Sequence, residues 1–206
     1  MHDLASLSAK LARLGRDEGA KVDETPQAAV AAIFRETEGR GLELFFIVRA
    51  ERDGDPWSGH VAFPGGRREP DDASLLATAV RETREEVGID LDGATLLARL
   101  PDSPAFTRSK RSTLVVAPFV FAIEEDVVAR PNHEVAKTLW IPFASLARGE
   151  GKGTFLWKWE NQSMELPCIR IGPDRHMLWG MTYRMLETML EALLPAPPAP
   201  DTIAGG

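Results

Sequence analysis

The stretch from Gly65 to Ile89 reads GGRREPDDASLLATAVRETREEVGI, and the rest of the chain is interpreted outward from it. In its second half, Glu82, Glu85 and Glu86 stand at positions i, i+3 and i+4, so a rotation of about 100° per residue puts them on one face of a helix. Like charges at this spacing repel one another, and no lysine is interleaved to compensate them. Bound Mg²⁺ or Mn²⁺, which prefer carboxylate ligands, would remove this repulsion. The stretch therefore predicts a loop followed by a metal-binding helix.

Residues on both sides of the carboxylates support a metal site over the alternative of a solvated, glutamate-rich helix. Gly65 and Gly66 allow a sharp turn, and the Gly65 carbonyl is a further oxygen ligand, because glycine reaches conformations closed to other residues. Arg81 lies four residues before Glu85, so we expect it to hold that carboxylate in place. Gly88 follows the carboxylates, and the helix is expected over Ser74 to Val87.

From Arg81 to Ile89 the sequence resembles the Nudix box, the loop–helix–loop of a family that hydrolyses nucleoside diphosphates linked to another moiety. Thr83 occupies the first apolar position of that pattern. The first half of the box differs, because five residues separate Gly66 from the acid Asp72, and eight residues rather than seven then separate Asp72 from Arg81. The resemblance implies one extra loop residue before the helix, and it leaves the role of Asp72 open.

The resemblance also implies a set of metal ligands and catalytic groups. The ligands are Gly65, Glu82, Glu85 and Glu86, with Mg²⁺ or Mn²⁺ as the cofactor, and Arg81 and Glu134 complete the catalytic set. Glu134 belongs to an Asn-x-Glu-Val segment like one found in the family. It is either an extra ligand or general base, or the partner of a box arginine in a salt bridge. The choice of general base between Glu82 and Glu134 stays open.

Two further segments resemble the coenzyme A pyrophosphatase branch of the family. Ahead of the box, the branch pattern is matched by Arg49, Gly59, Ala62, Phe63, Pro64, Gly65 and Gly66, whereas His60 stands in place of a glutamine and Asp55-Pro56-Trp57 replaces Arg-x-His. Near the C-terminus, Trp179-Gly-Met-Thr matches again. These matches imply that coenzyme A or an acyl derivative is the substrate. The alternatives are ADP-ribose, NADH or a nucleoside triphosphate, or a module that senses a nucleotide derivative without cleaving it.

Several side chains are candidates for contact with such a substrate. Trp57 is either a hydrophobic plug or a surface on which a base stacks, and His60 is either a structural histidine or a ligand contact. The basic cluster near residue 110 is either solvated or a phosphate site, and its charge stands out in a chain of net charge −7. The full set of candidates is Arg49, Trp57, His60, Arg108, Lys110 and Arg111.

Composition limits the class of protein. The 206 residues include 44% hydrophobic residues, enough for one sizeable core. The net charge of −7 argues against a nucleic-acid binder, and the absence of a long apolar run argues against membrane insertion. The single cysteine, Cys168, excludes internal disulfides and is expected in the core. We therefore expect a cytoplasmic enzyme acting on a small nucleotide derivative.

The chain divides into three segments. Residues 1–27 form an N-terminal helix and linker, with leucines at positions 4, 7, 11 and 14 that dock either on the domain or on a second subunit, so a homodimer stays open. The resemblance implies a Nudix domain over residues 28–194, in which we expect a hairpin over residues 153–171 and a last helix over residues 174–194. Residues 195–206 are rich in proline and glycine, and we expect them to form a flexible tail. The resemblance implies an α/β/α sandwich around a mixed sheet.

Overall fold

The structure, a computed structural model, describes residues 3–15, 27–52, 58–105, 114–124, 127–159 and 162–193. The helices are α1 (Leu4–Leu11), α2 (Leu75–Val87), α3 (Phe143–Ala147) and α4 (Gly180–Leu193). The strands are β1 (Gln27–Thr37), β2 (Gly41–Arg49), β3 (Val61–Ala62), β4 (Gly65–Arg67), β5 (Thr95–Arg99), β6 (Ser103–Ala105), β7 (Leu114–Ala122), β8 (Val135–Pro142), β9 (Lys152–Trp159), β10 (Gln162–Ile171) and β11 (His176–Trp179).

The larger sheet is mixed, as expected. Its described strands run in the order β3-β2-β1-β7-β5, and β8, β4 and β6 pair with β2, β1 and β7 respectively. The β1–β7 pair is parallel, whereas the other pairs are antiparallel. The two central strands are apolar on both faces, which is typical of a sheet covered on both sides.

Helices cover both faces of this sheet. Successive side chains of a strand point to opposite faces, so Ile33 packs with Leu75 and Ala79 of α2, while its neighbour Phe34 packs into the core on the other face. The core on that second face includes Leu186 of α4 together with residues of α1 and α3. The α/β/α sandwich predicted from the sequence is confirmed.

The smaller sheet consists of β9, β10 and β11, and the predicted hairpin is confirmed within it. The predicted start of the last helix was wrong, because residues 176–179 form β11 and α4 begins only at Gly180. The cause is a backbone pairing that local sequence does not reveal: Trp179 lies opposite Cys168 of β10. Gly180 then adopts φ 66°, a left-handed conformation that lets the chain turn from strand into helix. Cys168 is buried, as expected.

Helix α1 docks on its own domain. Asp3 caps it by accepting a hydrogen bond from the Ser6 amide at 2.7 Å. Leu7 and Leu11 are fully buried in the core, and Lys10 Nζ donates to the Leu193 carbonyl of α4 at 2.8 Å. The oligomeric state stays a prediction. Among the described residues, no helix has both the length and the apolar character needed to cross a membrane.

Candidate active site

The carboxylate-bearing helix α2 forms where the sequence predicts it. Ser74 caps its N-terminus, since its side chain accepts from the Ala77 amide at 3.1 Å, and Gly88 ends it at φ 66°. Thr83 occupies an apolar position of the box because it is buried and its hydroxyl donates to the Ala79 carbonyl at 2.7 Å. A polar residue is tolerated there because its only donor is satisfied within the helix.

Asp72, whose role the sequence left open, anchors Arg81. Arg81 donates from Nε to Asp72 Oδ1 and from Nη2 to Asp72 Oδ2, both at 2.9 Å. The same carboxylate also accepts from the Thr78 hydroxyl at 2.9 Å and from the Glu69 amide at 2.8 Å. The hydrogen bonds from Arg81 are the main cause that lowers the pKa of Asp72 to about 2. The extra loop residue therefore does not prevent Asp72 from holding this arginine.

Arg81 in turn connects two of the box carboxylates. Its Nη1 donates to Glu82 Oε1 at 3.0 Å and to Glu85 Oε2 at 3.1 Å, and its Nη2 also donates to the Arg67 carbonyl at 3.0 Å. The predicted contact between Arg81 and Glu85 is confirmed. Glu85 is nevertheless the most solvated of the three box acids, with 54% of its side chain exposed.

Glu86 is the most buried of the three acids, with 3% exposure. It accepts a hydrogen bond from the Gly65 amide at 2.9 Å. Burial is the main cause that raises the pKa of Glu86 to about 7; the charges of Glu82 and Glu134 raise it further, whereas the Gly65 hydrogen bond and the charge of Arg49 lower it. Glu86, Arg49 and Glu134 therefore share one electrostatic environment, although they lie on three different segments.

The two glycines before the helix are each required for a different reason. Gly65 has φ 148°, and a Cβ there would lie 2.2 Å from the Ala29 carbonyl oxygen of the neighbouring strand. A Cβ on Gly66 would lie 2.4 Å from Cδ of Glu82. Gly65 thus allows β4 to approach β1 closely, while Gly66 leaves room for the Glu82 carboxylate. The role of the Gly65 carbonyl as a ligand stays a prediction.

The donor set fits a hard divalent cation. Burial raises the pKa of Glu82 as well as that of Glu86, so two carboxylates are held close together in a poorly solvated site, where their charges repel. Within the described ranges, no group of three acidic, histidine or cysteine side chains is arranged to hold a metal ion, and Arg81 pairs with both Glu82 and Glu85. Oxygen donors of this kind suit hard divalent cations such as Mg²⁺ or Mn²⁺.

Glu134 forms a salt bridge, but not with a box arginine as one reading of the sequence proposed. Its Oε1 accepts from Arg52 Nη2 at 2.9 Å, and 38% of its side chain is exposed. Its backbone carbonyl accepts from the Ala50 amide at 2.7 Å, next to Arg49 at the end of β2. The alternative of a box-arginine partner is therefore wrong, while the expected nearness of Glu134 to the box is consistent with its effect on the pKa of Glu86.

Of the predicted substrate contacts, His60 lies in an aromatic cluster that sequence reasoning missed. Its ring packs edge-on against Trp179 at a centroid distance of 4.9 Å, and Phe155 and Trp157 of β9 lie 5.0 and 6.4 Å from the same indole. The sequence did contain a signal for this cluster: Phe155 and Trp157 are two residues apart on one strand, so their side chains share one face of the sheet. The His60 carbonyl accepts from the Arg49 amide at 3.0 Å. The remaining candidates, Trp57, Arg108, Lys110 and Arg111, lie outside the described residues.

Comparison with known proteins indicates the same family as the residues around α2 do. The NUDIX domain family matches residues 25–158, more than half of the chain. A mouse protein, mitochondrial coenzyme A diphosphatase NUDT8, is 31% identical over 154 residues, which cover 74% of this chain and 71% of the mouse protein. The human protein of the same name is 29% identical over 153 residues; that match spans 63% of its length.

Among solved structures, the NUDIX domain of Shewanella oneidensis NrtR, crystallised with ADP ribose, has a similar fold. Its TM-score is 0.54 at 15% sequence identity, with 90% of this chain and 98% of that chain covered. At this identity the similarity concerns the fold alone. Together with the family match and the relatives, the geometry around α2 leads to one conclusion: the chain belongs to the Nudix family and is a hydrolase of the diphosphate bond in nucleotide derivatives.

Proposed function

We propose that this Nudix hydrolase cleaves the diphosphate of coenzyme A or of an acyl derivative, giving a pantetheine phosphate and an adenosine bisphosphate. One observation carries the proposal. The two segments that resemble the coenzyme A branch are more than a hundred residues apart in sequence, yet they meet in space where the His60 ring packs on Trp179 at 4.9 Å. His60 itself stands where the branch has glutamine, but the segment that contains it lies against the second matching segment, and this adjacency supports one shared substrate site. The similarity to coenzyme A diphosphatases from mouse and human also supports it.

The carboxylates of α2 hold the reacting centre in this proposal. Glu82, Glu85 and Glu86 bind divalent cations, and Arg81, fixed by Asp72, keeps Glu82 and Glu85 oriented. When bound, such cations neutralise the diphosphate and lower the pKa of a bound water. The burial of Glu86 excludes water from one side of the site, so its charge acts through a low dielectric.

Glu134 is the general base that we propose. Glu82 packs against the Gly66 backbone and accepts from Arg81, which suits a fixed ligand better than a group that takes up a proton. Glu134 is partly exposed, and its salt bridge with Arg52 is of the surface type, worth about 0–1 kcal/mol. Its carboxylate is therefore able to turn toward a water molecule, accept its proton and release that proton to solvent.

Cationic side chains bind the substrate's phosphates. Arg49 acts on the diphosphate, since its charge already acts on Glu86. The 3′-phosphate, which distinguishes coenzyme A from ADP-ribose, needs a second cation. Arg108, Lys110 and Arg111 are the candidates from the sequence.

A substrate panel tests the proposal. Coenzyme A, an acyl derivative, dephospho-coenzyme A, ADP-ribose and NADH are each incubated with the protein and Mg²⁺ or Mn²⁺, and products are identified by mass. We expect the highest kcat/KM for coenzyme A or its acyl derivative, and a KM for dephospho-coenzyme A that is about tenfold higher, since one charge-assisted contact is worth roughly 1.5–3 kcal/mol. A kcat/KM for ADP-ribose or NADH above that for coenzyme A would overturn the assignment.

A variant of the aromatic cluster links substrate preference to the observation that carries the proposal. Trp179→Leu removes the ring on which His60, Phe155 and Trp157 pack. On the proposal that the adenine base of coenzyme A stacks on this cluster, we expect KM for coenzyme A to rise about tenfold, because base–aromatic stacking is worth about 1–3 kcal/mol. Trp140→Leu is the matched control: Trp140 packs on Phe45 and on no member of the cluster described here, so it should lower Tm without changing the preference among substrates. Equal KM values in parent and Trp179→Leu would refute a role for the cluster.

A further inference from the structure

We infer that Asn132 is a positioning residue that keeps Glu134 in register with the carboxylate helix α2. Asn132 lies in the loop before β8, two residues ahead of Glu134. Its backbone amide and its side-chain amide donate to the end of α2, and its side-chain oxygen accepts from the Glu134 amide. The inference rests on the proposed function only for the role of Glu134 as the base.

The end of α2 shows how Asn132 is engaged. An α-helix leaves its last four carbonyls without an intrahelical partner. In α2, the Arg84 carbonyl accepts from the Gly88 amide at 2.9 Å, and the Val87 carbonyl accepts from the Arg130 amide at 2.6 Å. The two carbonyls between them belong to the acids. The backbone carbonyl of Glu85 accepts from Asn132 Nδ2 at 3.0 Å, and the backbone carbonyl of Glu86 accepts from the backbone amide of Asn132 at 2.8 Å.

The third bond of Asn132 reaches Glu134. Its Oδ1 accepts from the Glu134 amide at 2.7 Å, an i to i+2 turn typical of asparagine. On the other side, the Glu134 carbonyl accepts from the Ala50 amide at 2.7 Å. The backbone of Glu134 is therefore fixed at both its amide and its carbonyl, while its carboxylate stays partly exposed.

This arrangement sets the position of Glu134 relative to Glu86. A base that acts on a bound water must be placed within hydrogen-bond reach of it, and a displacement of about 1 Å costs up to about a hundredfold in rate. Asn132 transmits the position of the helix end to Glu134 through three short bonds. Loss of its side chain would leave the helix carboxylates in place but release the backbone that carries Glu134.

A double-mutant cycle on kcat tests the inference. We expect Asn132→Ala to lower kcat about tenfold in the parent, with KM changed by less than about twofold, because the loss is in positioning and not in substrate contact. In a Glu134→Gln background, the same change should lower kcat by less than about twofold, because the group being positioned is already lost. An equal factor in both backgrounds, or full activity of Glu134→Gln, would overturn the inference.

Asn132→Asp separates positioning from a general weakening of the helix end. Aspartate keeps the acceptor for the Glu134 amide and the backbone bond to Glu86, but it loses the donor to the Glu85 carbonyl. We therefore expect the kcat of Asn132→Asp to lie within about threefold of the parent value. A kcat as low as that of Asn132→Ala would contradict the positioning role. Asp90→Ala is the matched control, since Asp90 accepts from the Asp92 amide at 2.9 Å in the same kind of turn beyond α2.

Amide hydrogen exchange of Glu134 gives a measurement that needs no substrate. Asn132→Ala should speed exchange at that amide about tenfold, while Asn132→Asp should leave it near the parent rate. Unchanged exchange in Asn132→Ala would overturn the inference whatever the enzyme cleaves. Failure of coenzyme A as the substrate leaves this test intact, because the cycle is then run with whichever diphosphate compound is hydrolysed.

Discussion

Replacement of Glu86 by glutamine should have opposite effects on stability and on turnover. In the folded protein the pKa of Glu86 is about 7, against an ordinary value of 4.5, mainly because the side chain is buried. At about 1.4 kcal/mol per pH unit, this difference corresponds to about 3 kcal/mol. The folded chain thus binds this proton more tightly than the unfolded chain. The contribution of the neutral acid to stability is complete below pH 4.5 and is lost as the pH rises through about 7.

Four neighbouring groups shift the pKa of the Glu86 carboxyl. Glu82 and Glu134 oppose ionisation through their charges, while the Gly65 amide and Arg49 favour it. Without metal, the free energy of unfolding of the parent should fall by about 3 kcal/mol between pH 5 and pH 8 through this group. Glu86→Gln has no such ionisation, so it should be the more stable of the two at pH 8.

The assay is urea denaturation of the metal-free protein in EDTA at several pH values, followed by turnover at saturating Mg²⁺. In Glu86→Gln, the free energy of unfolding should no longer fall with pH through this group. Its kcat should be about a hundredfold or more below that of the parent, since a metal ligand contributes several kcal/mol to catalysis. Added Mg²⁺ should stabilise the parent more than the variant. Glu85→Gln is the matched control, because water already solvates that exposed carboxylate, and it should leave the slope unchanged. The same slope in parent and Glu86→Gln would refute the reasoning.

The remaining predictions concern the box loop. Gly66→Ala should lower kcat about tenfold with little change in Tm, because its Cβ displaces only the carboxylate end of the Glu82 side chain, whereas Gly65→Ala should lower Tm, because its Cβ meets backbone atoms of β1. Thermal unfolding and kinetics separate the two, and equal loss of Tm in both would contradict the reading. Asp72→Asn should destabilise the protein by about 3 kcal/mol at pH 7, since it breaks the buried pair with Arg81. In the parent, the contribution of the ionised Asp72 is present above pH 3.8 and lost as the pH falls through about 2, so acid unfolding of parent and variant should converge at low pH.

Local pattern was enough to predict much of the candidate site. The spacing of Glu82, Glu85 and Glu86 predicted their helix, and its expected range from Ser74 to Val87 agrees with α2 and its N-cap residue. Arg81 was correctly paired with Glu85, because residues four apart are neighbours on any helix. These features depend on contacts within a few residues, so the sequence contains all the information needed for them.

Pairings between distant segments were not predictable in this way. The partner of Glu134 is Arg52, and β11 replaces the first turn of the predicted last helix. The aromatic cluster around Trp179 likewise joins two sheets. In each case the residue had several chemically suitable partners along the chain, and only the topology brought one of them within reach.

The sequence by itself determined the chemistry available to this protein: a row of carboxylates on one helical face, a glycine pair before it and apolar strands on both sides. The tertiary structure decided how each acid is used. It buried Glu86 and so raised its pKa to about 7, while it left Glu85 exposed. It also joined Asp72 to Arg81 in spite of the longer loop. The physical reason is that residue type and local period fix which groups share a face, whereas desolvation and long-range hydrogen bonds depend on what the rest of the fold packs against that face.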